Sequence, residues 1–435
     1  MTRTFAQKEG LSGTPASASA LTCERRLRTS GRLKLAPLRR TERFAPRGDQ
    51  PDAEHCTAVR FTCADGRRTA RVCFLGGFLW LVCAGRPPAA ATAQASAYIP
   101  ALTSYFQVRY TEQNEGEDLL SLRRFKVMFD GGPATGLHYH VQFIFKTNND
   151  SSTDDRIYLQ NAYIIWPTWT GVSIKAGQFI PPFGLERFQP DYDLDFVERT
   201  NVTTRLVVDG NLGHSFARDR GVEGDWNSGG WQLSGGAFQG AGANNAPRGN
   251  GPLGVGRVSY GREAGKKRRK WSWRAGLAAA LRRDADQDFS GQLPGLSKEL
   301  TQNFRGRDIR INAFAQGRWG PLRSQGEYFR VWFQPASGAA IIARGGYAQA
   351  AWLPCGRCIL ALRHENFNPD VRQPNTGASR QWTAAATYDW RGVPLRIATD
   401  YSWIAAETGP DTVWRIQVQY FLAKRVDMRK LFPRF

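Results

Sequence analysis

The strongest constraint on this chain is an alternation of apolar and polar residues with a period of two, which repeats from residue 102 onward. In Trp271–Arg282, tryptophan and leucine alternate with serine and arginine, and Val413–Tyr420 shows the same pattern. Successive side chains of a β-strand point to opposite faces of the sheet, so this period predicts strands with one apolar face. We count sixteen such segments between Leu102 and Leu422.

The connections between these segments alternate in length. Brief turns such as Arg391–Pro394 alternate with long connections such as Leu185–Ala217 and Asp284–Asn303. An even number of antiparallel strands of ~9–11 residues, with short turns at one end and long loops at the other, is typical of bacterial outer-membrane barrels. We therefore predict an all-β fold, a 16-stranded antiparallel transmembrane β-barrel.

A secreted β-sandwich or β-propeller would also produce alternating strands. Two features favour the membrane. The polar faces are markedly charged, which suits a water-filled lumen, and the apolar faces carry large aromatic residues near the strand ends, as interfacial girdles do. These aromatic residues are Trp166, Trp169, Trp271, Trp319, Trp390, Trp414 and Tyr420.

The first 95 residues differ from the rest of the chain. Residues 1–66 show no sustained period, and we interpret them as unstructured or as upstream sequence read from a start codon placed too early. The basic run Arg67–Arg71, the apolar run Val72–Gly85 and the small residues Ala93–Ala95 then follow in the order of a secretory signal peptide. A buried core helix is the alternative, because the apolar run is shorter than the ~20 residues of a spanning helix. We predict a signal peptide at 67–95 and an exported barrel at 96–435.

Export would place the two cysteines beyond residue 95 in an oxidising compartment. In an oxidising compartment, Cys355 and Cys358 are expected to form a disulfide within a turn, because a single CxxC pair is weak support for zinc. The basic extension Ala423–Arg434 separates the terminal Phe435 from the last predicted strand.

The polar faces of the predicted strands carry a surplus of positive charge. The chain has 59 Lys and Arg against 38 Asp and Glu, a net charge of +21. The acids on these faces are Asp308, Glu365, Asp389 and Asp400, so some pairing is expected. The basic members, which we predict line the anion pathway, are Arg109, Arg124, Lys126, Lys146, Lys175, Arg257, Arg274, Arg310, Arg318, Arg363, Arg396 and Arg415. Rings of Arg or Lys mark anion and phosphate pores.

Several motifs resemble the phosphate-selective porin O/P family of outer-membrane proteins. GQFIPPFGLER runs from Gly177 to Arg187, DFVER spans Asp195–Arg199, and RDRGV spans Arg218–Val222. The resemblance implies a usually trimeric barrel whose third extracellular loop, here Leu185–Ala217, folds inward to form a constriction. By position in that loop, four arginines could reach the narrow zone: Arg187, Arg199, Arg205 and Arg218. The alternative for two of them is pairing with the adjacent Glu186 and Glu198.

We therefore predict a channel for passive diffusion of small anions, with phosphate or polyphosphate as candidate substrates. It would lie in the outer membrane of a Gram-negative bacterium, contact outer-membrane lipid and form a homotrimer, without a cofactor or a metal. A porin that prefers anions without phosphate specificity, or a channel for another anion, is the alternative.

Two other classes are less well supported. A barrel hydrolase needs a Ser/His/acid set, but His138 and His140 share one strand face without a third ligand, and no nucleophile motif adjoins His214 or His364. The basic run Lys266–Lys270 lies in a predicted turn and is interpreted as a solvated face, so no nucleic-acid partner is predicted.

Overall fold

The computed structural model describes the barrel region of the chain. The described residues are 98–114, 118–133, 136–146, 156–208, 217–246, 251–264, 271–373, 376–407 and 409–428, without the side chains of Lys146, Arg156 and Val208. The predicted leader at 1–66 and the predicted signal peptide at 67–95 lie outside these residues.

Sixteen antiparallel strands close into a barrel in this part of the chain, which confirms the predicted fold class. Each strand pairs with its neighbours along the chain, and β16 pairs with β1 to close the sheet. The strands are β1 Ala101–Gln113, β2 Leu119–Gly131, β3 His138–Lys146, β4 Arg156–Trp169, β5 Val172–Phe179, β6 Asp219–Ser228, β7 Trp231–Phe238, β8 Leu253–Ala264, β9 Trp271–Gln287, β10 Phe304–Trp319, β11 Leu322–Pro335, β12 Ile341–Cys355, β13 Cys358–Asn368, β14 Ser379–Asp389, β15 Leu395–Ala406 and β16 Gly409–Asp427.

The two faces of the sheet differ in exposure as the period of two predicts. Along β10, Asp308, Arg310 and Asn312 are buried, whereas the intervening Ile311 and the terminal Trp319 are exposed. The exposed apolar face of a closed membrane barrel is the lipid-facing one, so the buried face points inward. The predicted girdle agrees, because six of its aromatic side chains are exposed: Trp166, Trp169, Trp271, Trp319, Trp390 and Trp414.

The last strand runs to Asp427 rather than to the expected Leu422. Its end pairs with the beginning of β1, where Ala101 lies opposite Asp427. Lys424 and Arg425 therefore belong to the strand, because β1 supplies backbone partners beyond the level at which β15 begins.

The segment between β5 and β6 and the segment between β9 and β10 carry the described helical turns. These are Glu186–Phe188, Asp191–Asp193, Asn201–Thr203 continuing as a π-helical turn over Thr204–Val208, and Lys298–Thr301. No helix among the residues described has the length and apolar character needed to cross a membrane.

An apolar cluster occupies part of the inner face, which corrects the expectation that this face is polar on every strand. Phe329, Val331 and Phe333 of β11 are fully buried and belong to one cluster with Phe183 of the β5–β6 segment and Phe289 of the β9–β10 segment. From Tyr328 to Phe333, both faces of β11 carry bulky side chains, so the period of two does not tell its faces apart there. The inner wall is therefore divided between an apolar and a charged part.

The short turn between β12 and β13 contains the predicted disulfide. Cys355 and Cys358 are bonded, with their Cα atoms 5.3 Å apart, and they face each other as the last register pair of the two strands. The bond closes the turn covalently.

Candidate functional site

The β5–β6 segment brings a carboxylate to the inner face of β1 and β2. Glu198 accepts hydrogen bonds from Arg109 at 2.5 Å and from Arg123 at 2.8 Å, and its Oε1 lies 3.7 Å from Arg124. The predicted pathway residues Arg109 and Arg124 are thus held by one acid that lies some eighty positions away in the chain. Three guanidinium groups share this single carboxylate.

A second acid of the same segment extends the cluster. Asp191 forms ion pairs with Arg124 at 2.7 Å, with Lys126, and with Arg199 at 2.7 Å. Together Asp191 and Glu198 face five cationic side chains. This region, which we call the β1–β2 cluster, therefore keeps a surplus of positive charge despite its ion pairs.

Electrostatics keep both acids of the β1–β2 cluster ionised. Burial raises the pKa of the Asp191 carboxyl, but Arg124, Lys126 and Arg199 lower it by more, so its pKa lies well below the usual range. Burial also raises the pKa of Glu198, and its three arginine neighbours again lower the pKa by more. The two carboxylates are therefore permanent anchors between the segment and the barrel wall near pH 7.

The four arginines predicted for the constriction have different surroundings. Arg199 donates to backbone oxygens of Glu186 and Gln189 as well as to Asp191. Arg205 donates to Asn201 Oδ1 at 2.8 Å and to the carbonyl of Gly291 at 3.0 Å.

The other two predicted loop arginines also differ from each other in their surroundings. Arg187 is buried, and Arg218 donates to Asn161 Oδ1 at 2.8 Å on β4. Glu186 instead accepts from the backbone and hydroxyl of Thr200. The considered pairing of the loop arginines with Glu186 and Glu198 stays a prediction, although both carboxylates have other described partners.

Five of the predicted pathway residues are paired with acids of the barrel wall itself. Lys175 contacts Glu223 at 2.9 Å, and the other pairs join neighbouring inner positions at 2.5–3.5 Å. These four pairs are Arg310–Asp308, Arg363–Glu365, Arg396–Asp389 and Arg415–Asp400.

Two of these paired arginines do not line water. Arg310 is 0% exposed and Arg363 is 2% exposed. Arg310 donates to the carbonyl of Leu206 at 2.6 Å, and Arg363 donates to the carbonyl of Glu198 at 3.0 Å, so both hold the β5–β6 segment. Their expected place on the water-lined wall is corrected for this reason: packing against the segment encloses them.

Three other predicted residues have no carboxylate within ion-pair distance among the residues that the structure describes. Arg257 lies on the inner face of β8, Arg274 on β9 and Arg318 on β10, and all three are half-buried. The Arg257 guanidinium stacks 4.5 Å from the ring centre of Phe314, and Arg274 donates to Gln232 at 3.0 Å. We call these three residues the β8–β10 arginines.

The strand register arranges the β8–β10 arginines in a rising series from the short-turn end. Arg318 lies opposite Ser272, and Arg274 lies opposite Gln316, one inner position further along. Arg257 lies two inner positions beyond the residue opposite Arg274, which is Gly261. Inner neighbours on a strand are ~7 Å apart, so the series covers about 20 Å of strand length.

A further arginine adjoins this series and was not among the predicted site residues. Arg323 lies directly opposite Arg318 in the β10–β11 register and forms an ion pair with Asp195 of the β5–β6 segment. Its place right after a turn, on a strand without clear alternation, concealed it in the sequence. Arg123 was missed for a different reason, because a register shift in the β1–β2 pairing brings it to Glu198.

The histidines considered for metal binding or catalysis lie apart. His140 contacts Asp130 at 2.6 Å and stacks on Tyr163, whereas His364 stacks on Trp382 of the neighbouring strand. Within the described residues, no three His, Cys, Asp or Glu side chains converge as metal ligands would. His214, the run Lys266–Lys270 and the side chain of Lys146 lie outside the described part of the chain.

Comparison with known proteins identifies the relatives of this barrel. The family model described as phosphate-selective porin O and P matches residues 103–409. No curated protein matches the chain.

Solved structures with the same fold include OmpT, an outer membrane protein of Vibrio cholerae, in a trimer form, at a TM-score of 0.51 and 10% identity over 75% of this chain and 99% of that one. They also include an anion-selective porin from Comamonas acidovorans, at a TM-score of 0.50 and 11% identity over 74% of this chain and 100% of that one. At these identities the likeness concerns the fold.

Proposed function

Since this chain belongs to the phosphate-selective porin O and P family, we propose that it is an outer-membrane channel through which small anions diffuse passively along a cationic wall. The family and the fold point to a channel rather than to an enzyme. The proposed substrates are phosphate or polyphosphate, and the proposed location is the outer membrane of a Gram-negative bacterium.

The observation that carries this proposal is the positive charge that acids do not balance on half-buried inner positions. The β8–β10 arginines have no carboxylate within ion-pair distance among the described residues. A unit charge attracts an anion at 4 Å by about 4 kcal/mol at an effective dielectric constant of 20. Several such groups in series attract anions and still release them. The anion-selective porin of the same fold supports this direction of selectivity.

We infer that the β5–β6 segment forms the constriction. The segment contacts inner positions on two strands that are not neighbours in the barrel. Glu198 pairs with Arg109 of β1, and Asp195 pairs with Arg323 of β11. These two contacts are made by residues only three positions apart, which supports a segment that crosses the interior. A narrowing there would force anions past Arg323 and the β8–β10 arginines.

Phosphate preference is the finer part of the proposal. Arginine binds phosphate with two parallel hydrogen bonds, which lysine cannot do. The three half-buried inner cations that have no described carboxylate partner, the β8–β10 arginines, are all arginines. A general anion porin remains the second candidate. A trimer, as in the related barrel from Vibrio cholerae, and export by a signal peptide at 67–95 complete the proposal.

Planar-bilayer recording of the purified protein tests the proposal. A reversal potential in a KCl gradient should show anion preference, and millimolar phosphate should reduce chloride current if the arginines bind phosphate. Cation preference would contradict the channel proposal. Anion preference without block by phosphate would leave the general anion porin.

The contribution of the β5–β6 segment is tested separately by Arg187→Glu together with Arg199→Glu. If the segment forms the constriction, the double variant should show weaker anion preference than the unmodified channel. Unchanged selectivity in a folded variant would assign the ion selectivity to residues of the strands and not to the β5–β6 segment.

A further inference from the structure

The outer surface of β9–β14 carries a band of exposed arginines that the channel does not use. On each of these positions the neighbouring residues in the strand face inward, so the guanidinium groups face outward. All are exposed, and none forms an ion pair with another described residue: Arg283, Arg305, Arg307, Arg330, Arg344 and Arg380. A band of one sign on a lipid-facing wall needs a physical explanation.

Two pairs in this band oppose like charges directly. Arg283 lies opposite Arg307 in the β9–β10 register, and Arg330 lies opposite Arg344 in the β11–β12 register. Side chains directly opposite on one face have Cβ atoms about 4.5–5.5 Å apart, and like charges there repel. An anion bound between the two members of each pair would remove this repulsion.

The height of the arginine band along the barrel axis indicates which part of the membrane surrounds it. Arg283 and Arg307 each lie twelve positions from a tryptophan at the short-turn end, Trp271 and Trp319 respectively. Twelve positions at ~3.3 Å each, on a strand tilted by ~40°, correspond to about 30 Å across the membrane. The apolar band of such barrels is ~25 Å tall, so these arginines lie at its far edge, at the end of the long loops.

A surface groove at the same level adds an apolar component. It has a volume of about 640 Å³, and Arg380 lies beside Trp382 and Trp403 in its wall, which also includes Asp411. Trp382 and Trp403 face each other in the β14–β15 register. Indole surfaces beside a guanidinium suit an amphipathic molecule with an acyl chain and an anionic headgroup.

We propose that this arginine band binds the phosphate groups of the glycolipid that forms the outer leaflet of a bacterial outer membrane. The phosphates lie between Arg283 and Arg307 and between Arg330 and Arg344, where paired guanidinium groups supply parallel donors. Acyl chains pack below on the apolar wall. The inference requires the barrel to lie in an outer membrane but does not depend on which ion it conducts.

The test measures glycolipid binding to the purified full-length barrel by native mass spectrometry. Phosphorylated lipopolysaccharide and the same glycolipid after removal of its phosphates are the two probes. The variant is Arg330→Gln with Arg344→Gln. The matched control is Arg262→Gln, an exposed arginine on β8 at the opposite, short-turn end of the wall.

The double variant should bind phosphorylated glycolipid about thirtyfold more weakly, because each basic side chain near an anionic surface contributes about a fivefold step. Arg262→Gln should bind like the unmodified protein. The dephosphorylated glycolipid should bind to the unmodified protein at least as weakly as the phosphorylated one binds to the double variant, which keeps Arg283 and Arg307.

Equal binding of both glycolipids by the unmodified barrel would overturn the proposal, and this comparison needs no variant to fold. Dissociation of an oligomer by the double variant, with glycolipid binding intact, would also overturn it in favour of a contact between copies. Ion selectivity in planar bilayers is a separate measurement, so failure of the proposed function is distinguishable.

Discussion

Two regions of the inner wall carry arginines, yet they use them differently. In the β1–β2 cluster, Arg109 and Arg124 are almost fully buried and held by Glu198 and Asp191. The β8–β10 arginines, Arg257, Arg274 and Arg318, are in contrast half-buried, and no described acid pairs with them. The difference lies in the β5–β6 segment, which supplies acids to one region, whereas it contacts the other through the ring of Phe188, 5.0 Å from the Arg257 guanidinium. We propose that an inner arginine held by a carboxylate is an anchor, whereas one without a described carboxylate belongs to the ion pathway.

The sharpest test of this comparison reverses the charge of the β8–β10 arginines. The triple variant Arg257→Glu, Arg274→Glu and Arg318→Glu replaces the cationic series by an acidic one. The anion-to-cation permeability ratio should fall by at least about tenfold and pass below unity, since ~1.4 kcal/mol is a factor of ten and each close charge contributes more. Reversal potentials in planar bilayers measure the ratio.

The control for the triple variant is Arg262→Glu on the outer face of β8, which changes the net charge without changing the inner wall. It should leave the ratio unchanged. A triple variant that folds and keeps its anion preference would assign selectivity to the β1–β2 cluster, and the comparison would have to be inverted.

The second test concerns arginines that are anchors and not pathway residues. Asp308 pairs with Arg310 at 2.5 Å and lies 3.7 Å from Arg282, and all three side chains are 0% exposed. Asp308→Asn removes the carboxylate that pairs with the buried Arg310, although Asp284 still contacts Arg282 at 2.5 Å, and should reduce the free energy of unfolding by about 3–5 kcal/mol. Denaturant titration of the barrel in lipid vesicles measures this loss, and ion selectivity should not change.

A more exposed acid on the inner wall provides the comparison for that measurement. Asp389 pairs with Arg396 at 2.7 Å, but its side chain is 41% exposed. Asp389→Asn should therefore cost no more than about 1 kcal/mol. Equal losses for the two variants would show that burial is not what separates anchors from pathway residues.

These anchors also show how far the sequence could be interpreted. The alternation in β9 and β10 correctly predicted that Arg274, Arg310 and Arg318 share the inner face, because strand geometry fixes that face locally. It could not predict that Arg310 is enclosed while Arg318 is not, since the enclosing carbonyl belongs to Leu206, about a hundred positions away. Contacts supplied by a long irregular segment have no periodic signal.

The same limit applies to the apolar part of the interior. Phe329, Val331 and Phe333 alternate with Tyr328, Arg330 and Trp332, so both faces of β11 carry bulky side chains. The packing of interior residues such as Phe183 and Phe289 against one face distinguishes inside from outside. A period of two predicts the strand here, but residues packed against it determine which of its faces points into the barrel.

The third test removes an acid from the β1–β2 cluster, so that anchoring arginines become free to attract anions. Glu198→Gln removes the carboxylate that Arg109, Arg123 and Arg124 share. Anion preference should rise by roughly twofold to threefold, and the free energy of unfolding should fall by about 1–3 kcal/mol, because charged hydrogen bonds to a largely buried partner are lost. Asp130→Asn is the matched control, since its only described ion-pair partner is His140. A decrease in anion preference would contradict the assignment of these arginines as anchors whose charge Glu198 partly offsets.

The smallest expected effect is a dependence of selectivity on pH that comes from the same segment. Burial raises the pKa of Asp193 and Asp195 above 3.8, and the facing Arg396 and Arg323 offset only part of this increase. The pKa of Asp191, in contrast, is well below 3.8, so its stabilising ion pairs persist above that value and are lost only in stronger acid. As the pH falls from 7 towards 4, Asp193 and Asp195 therefore become neutral first, which favours the folded state in that window and leaves the wall more positive.

Anion preference should consequently increase modestly over this pH range while the barrel remains folded. Reversal potentials at successive pH values measure the trend, and the double variant Asp193→Asn with Asp195→Asn should show a high and nearly constant preference. If the unmodified channel and the double variant follow the same curve, the titrating groups lie elsewhere on the wall. The comparison would then rest on arginine burial alone, because the segment's acids would be anchors without any effect on the ions that pass.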